Sequence, residues 1–237
     1  NKYMKIAIVC YPTFGGSGVV ATELGLELAR RGHEIHFITY SQPVRLALLN
    51  PNVHYHQVNV SEYPLFHYQP YELALSSKLV DMVKLYKIDV LHVHDAIPQA
   101  YAGYMAKQIL KYESINIPMV TTLHGTDITL VGNHPFYKPA VTFSINKSDF
   151  VTSVSESLKA DTLKLFSIKN EIQVIPNFID LDKEKKDPNT PCHRSVMAAA
   201  DERIITHISN FRGVKRIPDV VKIFYKIQKE IPAKLMM

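Results

Sequence analysis

Cysteine is scarce in this sequence, and its scarcity removes the simplest kind of framework. Only two occur in 237 residues, Cys10 in an apolar run and Cys192 in a polar stretch. No disulfide scaffold is expected, and a cytoplasmic location is the plain reading. No apolar run approaches the ~20 residues that cross a bilayer. The first apolar run, 5–10, already reads as a strand, so no signal peptide is expected ahead of it. Zinc-finger spacing is missing, as is any recognition-helix pattern, and aromatic and basic residues do not interleave as they do on a single-strand binding face. Nucleic acid is therefore not an expected partner, although the net charge is +5. Phosphorylated or carboxylate small molecules suit that modest excess better. Repeats and low-complexity tracts are also absent. What remains is ordinary globular material, 46% hydrophobic and 21% charged.

Short, β-branched apolar runs at 5–10, 33–40, 90–94, 119–123, 150–154 and 172–175 read as strands. They are almost continuously apolar, as parallel strands covered on both faces should be. Between them, 19–31, 71–86, 99–111, 136–146 and 156–165 carry helical periodicity. In the first helix Val20, Leu24 and Leu28 form one stripe, Arg30 and Arg31 suit the negative end of the dipole, and Gly32 caps it. Alternation of this kind predicts an α/β fold with a doubly wound parallel sheet. The pattern breaks after Asp180. Residues 181–202 are polar and carry two prolines, Pro188 and Pro191, so they are expected to be a linker between a domain at 1–180 and a second one beginning at 203. Residues 203–237 supply only one strand, one helix and the start of another strand, and one βα unit cannot bury its own faces. The second domain is expected to be incomplete as written.

Four segments have the composition of chemistry. Gly15-Gly16-Ser17-Gly18 follows the first strand and opens the first helix, where freed N–H groups and the helix dipole favour an anion; Ser17 is also placed to cap that helix. A dinucleotide site would want an acid at the end of the second strand, and that strand ends Thr39-Tyr40-Ser41. His92-Val93-His94-Asp95 closes a central strand. Two histidines at i and i+2 suggest a metal, but no downstream cluster has ligand spacing, so no metal is expected. Thr121 to Asp127 closes the next strand, with His124, Gly125, Thr126 and Asp127 leaving the sheet together. Ser209 to Arg216 sets Arg212, Lys215 and Arg216 at the start of a helix, where cations are unfavourable unless an anion offsets them; a diphosphate would do so.

Together with the Arg31-Gly32-His33-Glu34-Ile35-His36-Phe37-Ile38-Thr39 strand and the Pro176-Asn177-Phe178-Ile179-Asp180 crossover, these segments resemble the family 4 retaining glycosyltransferases of GT-B fold, above all those of bacillithiol biosynthesis. The resemblance runs from Met4 to Met237 apart from the linker. It implies two Rossmann-like domains, the first for the acceptor and the second for the nucleotide sugar. It implies UDP-N-acetylglucosamine as donor and L-malate as acceptor, no metal or other cofactor, and leaves a homo-oligomer open. By resemblance, Gly16, Arg212 and Lys215 bind the donor diphosphate and His124 approaches the transferred sugar as the catalytic-site residue. Ser17, Gly18, Arg45, Asp95, Thr126 and Asp127 fall to the acceptor side. Another acceptor, such as a sugar phosphate or glycan, and a non-catalytic nucleotide-sugar-binding module are the alternatives.

Three departures from the family pattern matter. Asn210 stands where the family has an arginine five residues before the lysine, and Arg212 is taken to replace it. Asp95 and Gln99 stand where close relatives carry Tyr and His, and a charged Asp95 would oppose a dicarboxylate. The family's acidic motif for the donor sugar is expected beyond Met237.

Overall fold

The computed structural model of the chain describes residues 3–13, 16–44, 46, 50–181, 185 and 187–237. Its internal contacts divide it into two units, Asn1–Phe178 and Ile179–Met237.

The first unit is built on seven parallel strands: β1 (Lys5–Val9), β2 (Glu34–Thr39), β3 (Val53–Gln57), β4 (Val90–His94), β5 (Met119–Leu123), β6 (Phe150–Ser153) and β7 (Ile172–Val174). Their order in the sheet is β3-β2-β1-β4-β5-β6-β7. Helices α1 (Ser17–Arg30), α2 (Tyr71–Tyr86), α3 (Tyr101–Tyr112), α4 (Lys138–Lys147) and α5 (Glu156–Leu165) make the crossovers. The apolar runs of the sequence explain this layering. In β1, Ala7 and Val9 point into a core shared with α2 and α3 through Leu75, Leu79, Ala102 and Ala106. Ile6 and Ile8 point the other way, onto Ala21 and Ala29 of α1 and onto Phe37. Each fully buried branched side chain contributes about 1.5–3 kcal/mol of burial, so the central strands hold the unit together. Cys10 is buried and Cys192 exposed, and both are unpaired.

Strand β3 has no counterpart among the runs read from the sequence. Its residues are Val-His-Tyr-His-Gln, half polar, because it is the edge strand and pairs only with β2. Residues 96–100 are not the start of a regular helix either: Ile97 is extended, with φ −137° and ψ 143°, and α3 begins only at Tyr101.

The second unit contains a short helix, α6 (Arg194–Met197), two parallel strands, β8 (Arg203–Thr206) and β9 (Ala233–Met236), and α7 (Ile217–Glu230) between them. The expected linker is thus counted with this unit, and it carries a helical turn of its own. Ala198 and Ala233 are the buried hydrophobic residues of the unit among those described. α7 contains none, which is the physical signature of one βα layer without a covering layer. No helix among the described residues is long and apolar enough to cross a membrane.

Candidate functional site

The strand order reverses between β1 and β4, which makes the carboxyl ends of these strands the topological switch point of the sheet. Ligands of open α/β sheets lie in the crevice outside that point. Three chain segments leave the sheet there: the turn into α1, the turn after β4, and the turn after β5.

In the first, Gly16 has φ 61° and ψ −135°, a conformation that side chains resist, and it precedes the first helical residue, Ser17. The capping role expected for Ser17 is corrected: Gly16 holds the N-cap position and Ser17 is the first helical residue. The Ser17 hydroxyl faces the Asp95 carboxyl across the switch point instead. Gly18 is buried for a different reason. A Cβ there would lie 2.2 Å from the Tyr11 carbonyl oxygen, so glycine allows α1 to start hard against the exit of β1. The first turn of α1 carries no acidic residue, leaving its N-terminal N–H groups and dipole open to an anion.

After β4, Asp95 is only 4% exposed and has φ 78°, a strained setting for a residue with a side chain. Burial pushes its carboxyl up to about 8, the neighbouring Asp127 adds to the rise, and the Ser17 bond opposes it. Burial raises Asp127 as well. Asp127, however, accepts from Ala96 N–H at 2.9 Å, Gly125 N–H at 2.9 Å and His124 N–H at 3.2 Å. Three such bonds favour the charged form, so Asp127 holds the charge of the pair and Asp95 the proton. One expectation changes. Asp95 does not present a negative charge to an acceptor at neutral pH. Asp127, with both oxygens on backbone N–H groups, ties the ends of β4 and β5 together.

The histidines stack through the same region. His92 and His94 have ring centroids 4.5 Å apart, and His94 and His124 5.1 Å. His92 Nε2 meets Thr122 Oγ1 at 2.8 Å, and His94 Nδ1 meets His124 Nε2 at 2.9 Å. Burial draws His92 and His124 down to about 4, and His94 well below its usual value, so all three rings are neutral near pH 7. His94 Nε2, Asp95 Oδ2 and both polar atoms of the Gln99 amide are buried without a hydrogen-bond partner among the described residues. The Tyr11 hydroxyl faces Gln99 without closing a bond of normal geometry. Gln99 drew attention in the sequence only as a departure; its amide proves to be fully buried. Thr126 is exposed beside this group. Arg45 and Gly15 lie outside the described residues.

A protonated buried Asp95 has a thermodynamic signature. Its folded pKa lies above the unfolded value of about 3.9, so the folded state binds the proton more tightly. The stabilisation this gives is present at low pH and fades as pH rises from about 4 toward 8. The neutral histidines act in the opposite sense, costing stability as pH falls below about 6.5, so the aspartate is isolated by a difference. Urea unfolding at pH 5 and pH 8 should show Asp95→Asn gaining about 1–4 kcal/mol on wild type between the two. A difference independent of pH would mean that Asp95 is ionised throughout.

In the second unit, Arg212 and Lys215 are exposed on the loop that leads into α7, with Gly213–Lys215 forming a single tight turn. Among the described residues neither has an acidic partner. Arg216 does: it pairs with Asp219 at 2.6 Å. Of the three cations read from the sequence, one is therefore offset by an acidic partner among the described residues.

Comparison with known proteins places this geometry among relatives. The model of a family described as Glycosyltransferase Family 4 matches residues 14–183. An N-acetyl-alpha-D-glucosaminyl L-malate synthase of Bacillus anthracis is 48% identical over 234 residues, which is 99% of this chain and 61% of that protein. An uncharacterized glycosyltransferase of Methanocaldococcus jannaschii is 25% identical over 179 residues, 75% of this chain and 47% of that one. The crystal structure of Anabaena Alr3699/HepE in complex with UDP and glucose has a TM-score of 0.71 at 16% identity, covering 98% of this chain and 61% of that one. The chain thus spans about three fifths of the Bacillus relative's length.

Proposed function

Since the chain belongs to glycosyltransferase family 4 and has an α/β fold of GT-B type, we propose that its protein transfers N-acetylglucosamine from UDP-N-acetylglucosamine to the hydroxyl of L-malate, with retention at the anomeric carbon. This is the glycosylation that opens bacillithiol biosynthesis. The observation that carries the proposal is the 48% identity to an N-acetyl-alpha-D-glucosaminyl L-malate synthase along 99% of the chain. The first unit takes the acceptor and the second contributes to the donor site.

In this reading the bond from the anomeric carbon to the UDP oxygen breaks and a bond to the malate oxygen forms on the same face. The malate hydroxyl proton passes to a diphosphate oxygen. Lys215 and Arg212 stabilise the charge that grows on the leaving diphosphate, the largest electrostatic demand of the step. Gly16 and the N-terminus of α1 add backbone donors. His124, neutral and held by His94, contacts the transferred sugar as a hydrogen-bond partner rather than a cation. The protonated Asp95 supports malate as acceptor, because it can donate to a carboxylate instead of repelling it. Thr126, Ser17 and Arg45 complete the acceptor side, and the reaction needs no metal.

Mass spectrometry of products from the full-length protein, given UDP-N-acetylglucosamine with and without L-malate, tests the reading. A malate adduct carrying one N-acetylglucosamine is expected only when malate is present. Its absence, with transfer to a different acceptor, would overturn the acceptor assignment. In the same protein Lys215→Ala should weaken UDP binding by about 1.5–3 kcal/mol, a fall of roughly 10- to 150-fold. Asn210→Ala should cost less, because an amide brings no charge. Unchanged UDP affinity in Lys215→Ala by calorimetry would remove the lysine from the donor site.

A further inference from the structure

A second constellation lies at the other end of the strands. Parallel pairing sets His36 of β2 beside His54 of the edge strand β3, and Ile38 beside His56. Glu34, two residues before His36, falls on the same face. We propose that Glu34, His36 and His54 bind one divalent transition-metal ion, zinc by preference, as a clip between β2 and β3.

The donor atoms converge. Glu34 Oε1 lies 3.0 Å from His36 Nε2 and 3.5 Å from His54 Nε2, and all three ligand atoms fall within 4.8 Å of one another. Zinc–ligand bonds of about 2.0–2.1 Å in a tetrahedron put neighbouring ligand atoms about 3.3 Å apart. Among the described residues no other three His, Cys, Asp or Glu side chains gather in this way.

The surroundings orient the donors. Glu34 Oε2 is held by Lys5 Nζ at 3.3 Å and by the Tyr3 hydroxyl, which turns Oε1 toward the imidazoles. His36 is fully buried, and its Nδ1 meets His56 Nε2 at 2.9 Å. With an ion on His36 Nε2, the Nδ1 proton is donated to His56 Nε2, and His56 carries its own proton on Nδ1. A ligating histidine is usually fixed by such an outer partner. Two imidazoles and a carboxylate suit zinc, nickel, copper or iron, whereas calcium and magnesium prefer oxygen alone. The rings of His36 and His54 stack with centroids 4.7 Å apart and 21° between planes. His54 must turn onto the ion that Glu34 Oε1 and His36 Nε2 share, and with its side chain 37% exposed it has the room to do so and gives the ion its way in. Glu34 opens β2 at its amino end, whereas the transfer site occupies the carboxyl ends, so the ion serves the sheet edge and not the sugar chemistry.

The test uses the full-length protein, stripped with chelator. Co²⁺ is titrated by visible absorption and Zn²⁺ by calorimetry. Wild type should take up one equivalent of either, and Zn²⁺ should raise its melting temperature. His54→Gln should weaken binding by about 100-fold or more and abolish the thermal shift. Its urea midpoint in EDTA should match wild type, since His54 is partly exposed, and that measurement reports whether the variant folds. His124→Asn should leave Zn²⁺ binding intact, which separates the cluster from the histidines of the transfer site. Failure of wild type to bind either ion saturably overturns the proposal by itself. So does binding that persists in a folded His54→Gln protein.

Discussion

Asp127→Ala is expected to lower the stability of the first unit by about 3–5 kcal/mol. The side chain is 5% exposed and takes three backbone N–H groups from two different turns, those of Ala96, His124 and Gly125. Removing it strands all three. A buried donor left without a partner costs about 1–3 kcal/mol. The loss is partly offset, because Asp95 is freed from a neighbouring negative charge. At roughly 2–4 °C per kcal/mol for a chain of this size, the melting temperature should fall by about 6–20 °C. Asp127→Asn, which keeps one acceptor oxygen, should fall in between. A loss below 1 kcal/mol in Asp127→Ala would show that the turns after β4 and β5 are held by something else.

Gly18→Ala should do its damage to turnover. The added Cβ would sit 2.2 Å from the Tyr11 carbonyl oxygen and 3.1–3.2 Å from backbone atoms of Thr13. Backbone cannot swing aside as a side chain can, so α1 or the exit of β1 must move by about 1 Å. Overpacking of this kind costs about 1–3 kcal/mol of stability. The same displacement shifts the N-terminal end of α1 against Asp95 and His124. Misplacement on that scale can lower kcat/KM by about 100-fold. Gly16→Ala is the informative contrast. Nothing lies within 4 Å of its would-be Cβ, so its cost comes from φ 61° alone, about 1–3 kcal/mol. Transfer assays on the full-length protein, paired with thermal melts, separate the two. Wild-type turnover in Gly18→Ala would mean that the close approach has no bearing on the site.

Much of the fold was legible because the inner strands are covered on both faces. Their runs are apolar for a physical reason, and β1, β4 and β5 could be read directly. β3 was hidden because an edge strand needs no such run: three of its five residues are His54, His56 and Gln57. The strand-end segments of the candidate site were visible as clusters of glycine, histidine and acid at the ends of predicted strands. What those residues do there was not. Whether Asp95 is charged depends on burial and on Asp127, thirty-two positions away, and neither is a local property. Ser17 reads as a helix cap from its neighbours and faces Asp95 instead because β1 and β4 are adjacent. Likewise Glu34, His36 and His54 have no ligand spacing along the chain. Only the β2–β3 register brings them together.

The place of β1 in the sheet also bears on how the protein is made. One side of β1 pairs with β2 almost at once, but the other waits for β4, with Ile6 opposite Val90. On the ribosome, residues 58–94 take about 2–7 s to synthesise at 5–20 residues per second. Throughout that interval an inner strand of the sheet is an open edge, with unpaired backbone groups beside Ala7 and Val9, and such an edge is a template for foreign strands. The hazard belongs to synthesis and disappears in the finished fold. Slow translation between residues 58 and 94 should therefore increase aggregation while leaving the melting temperature of the recovered protein unchanged.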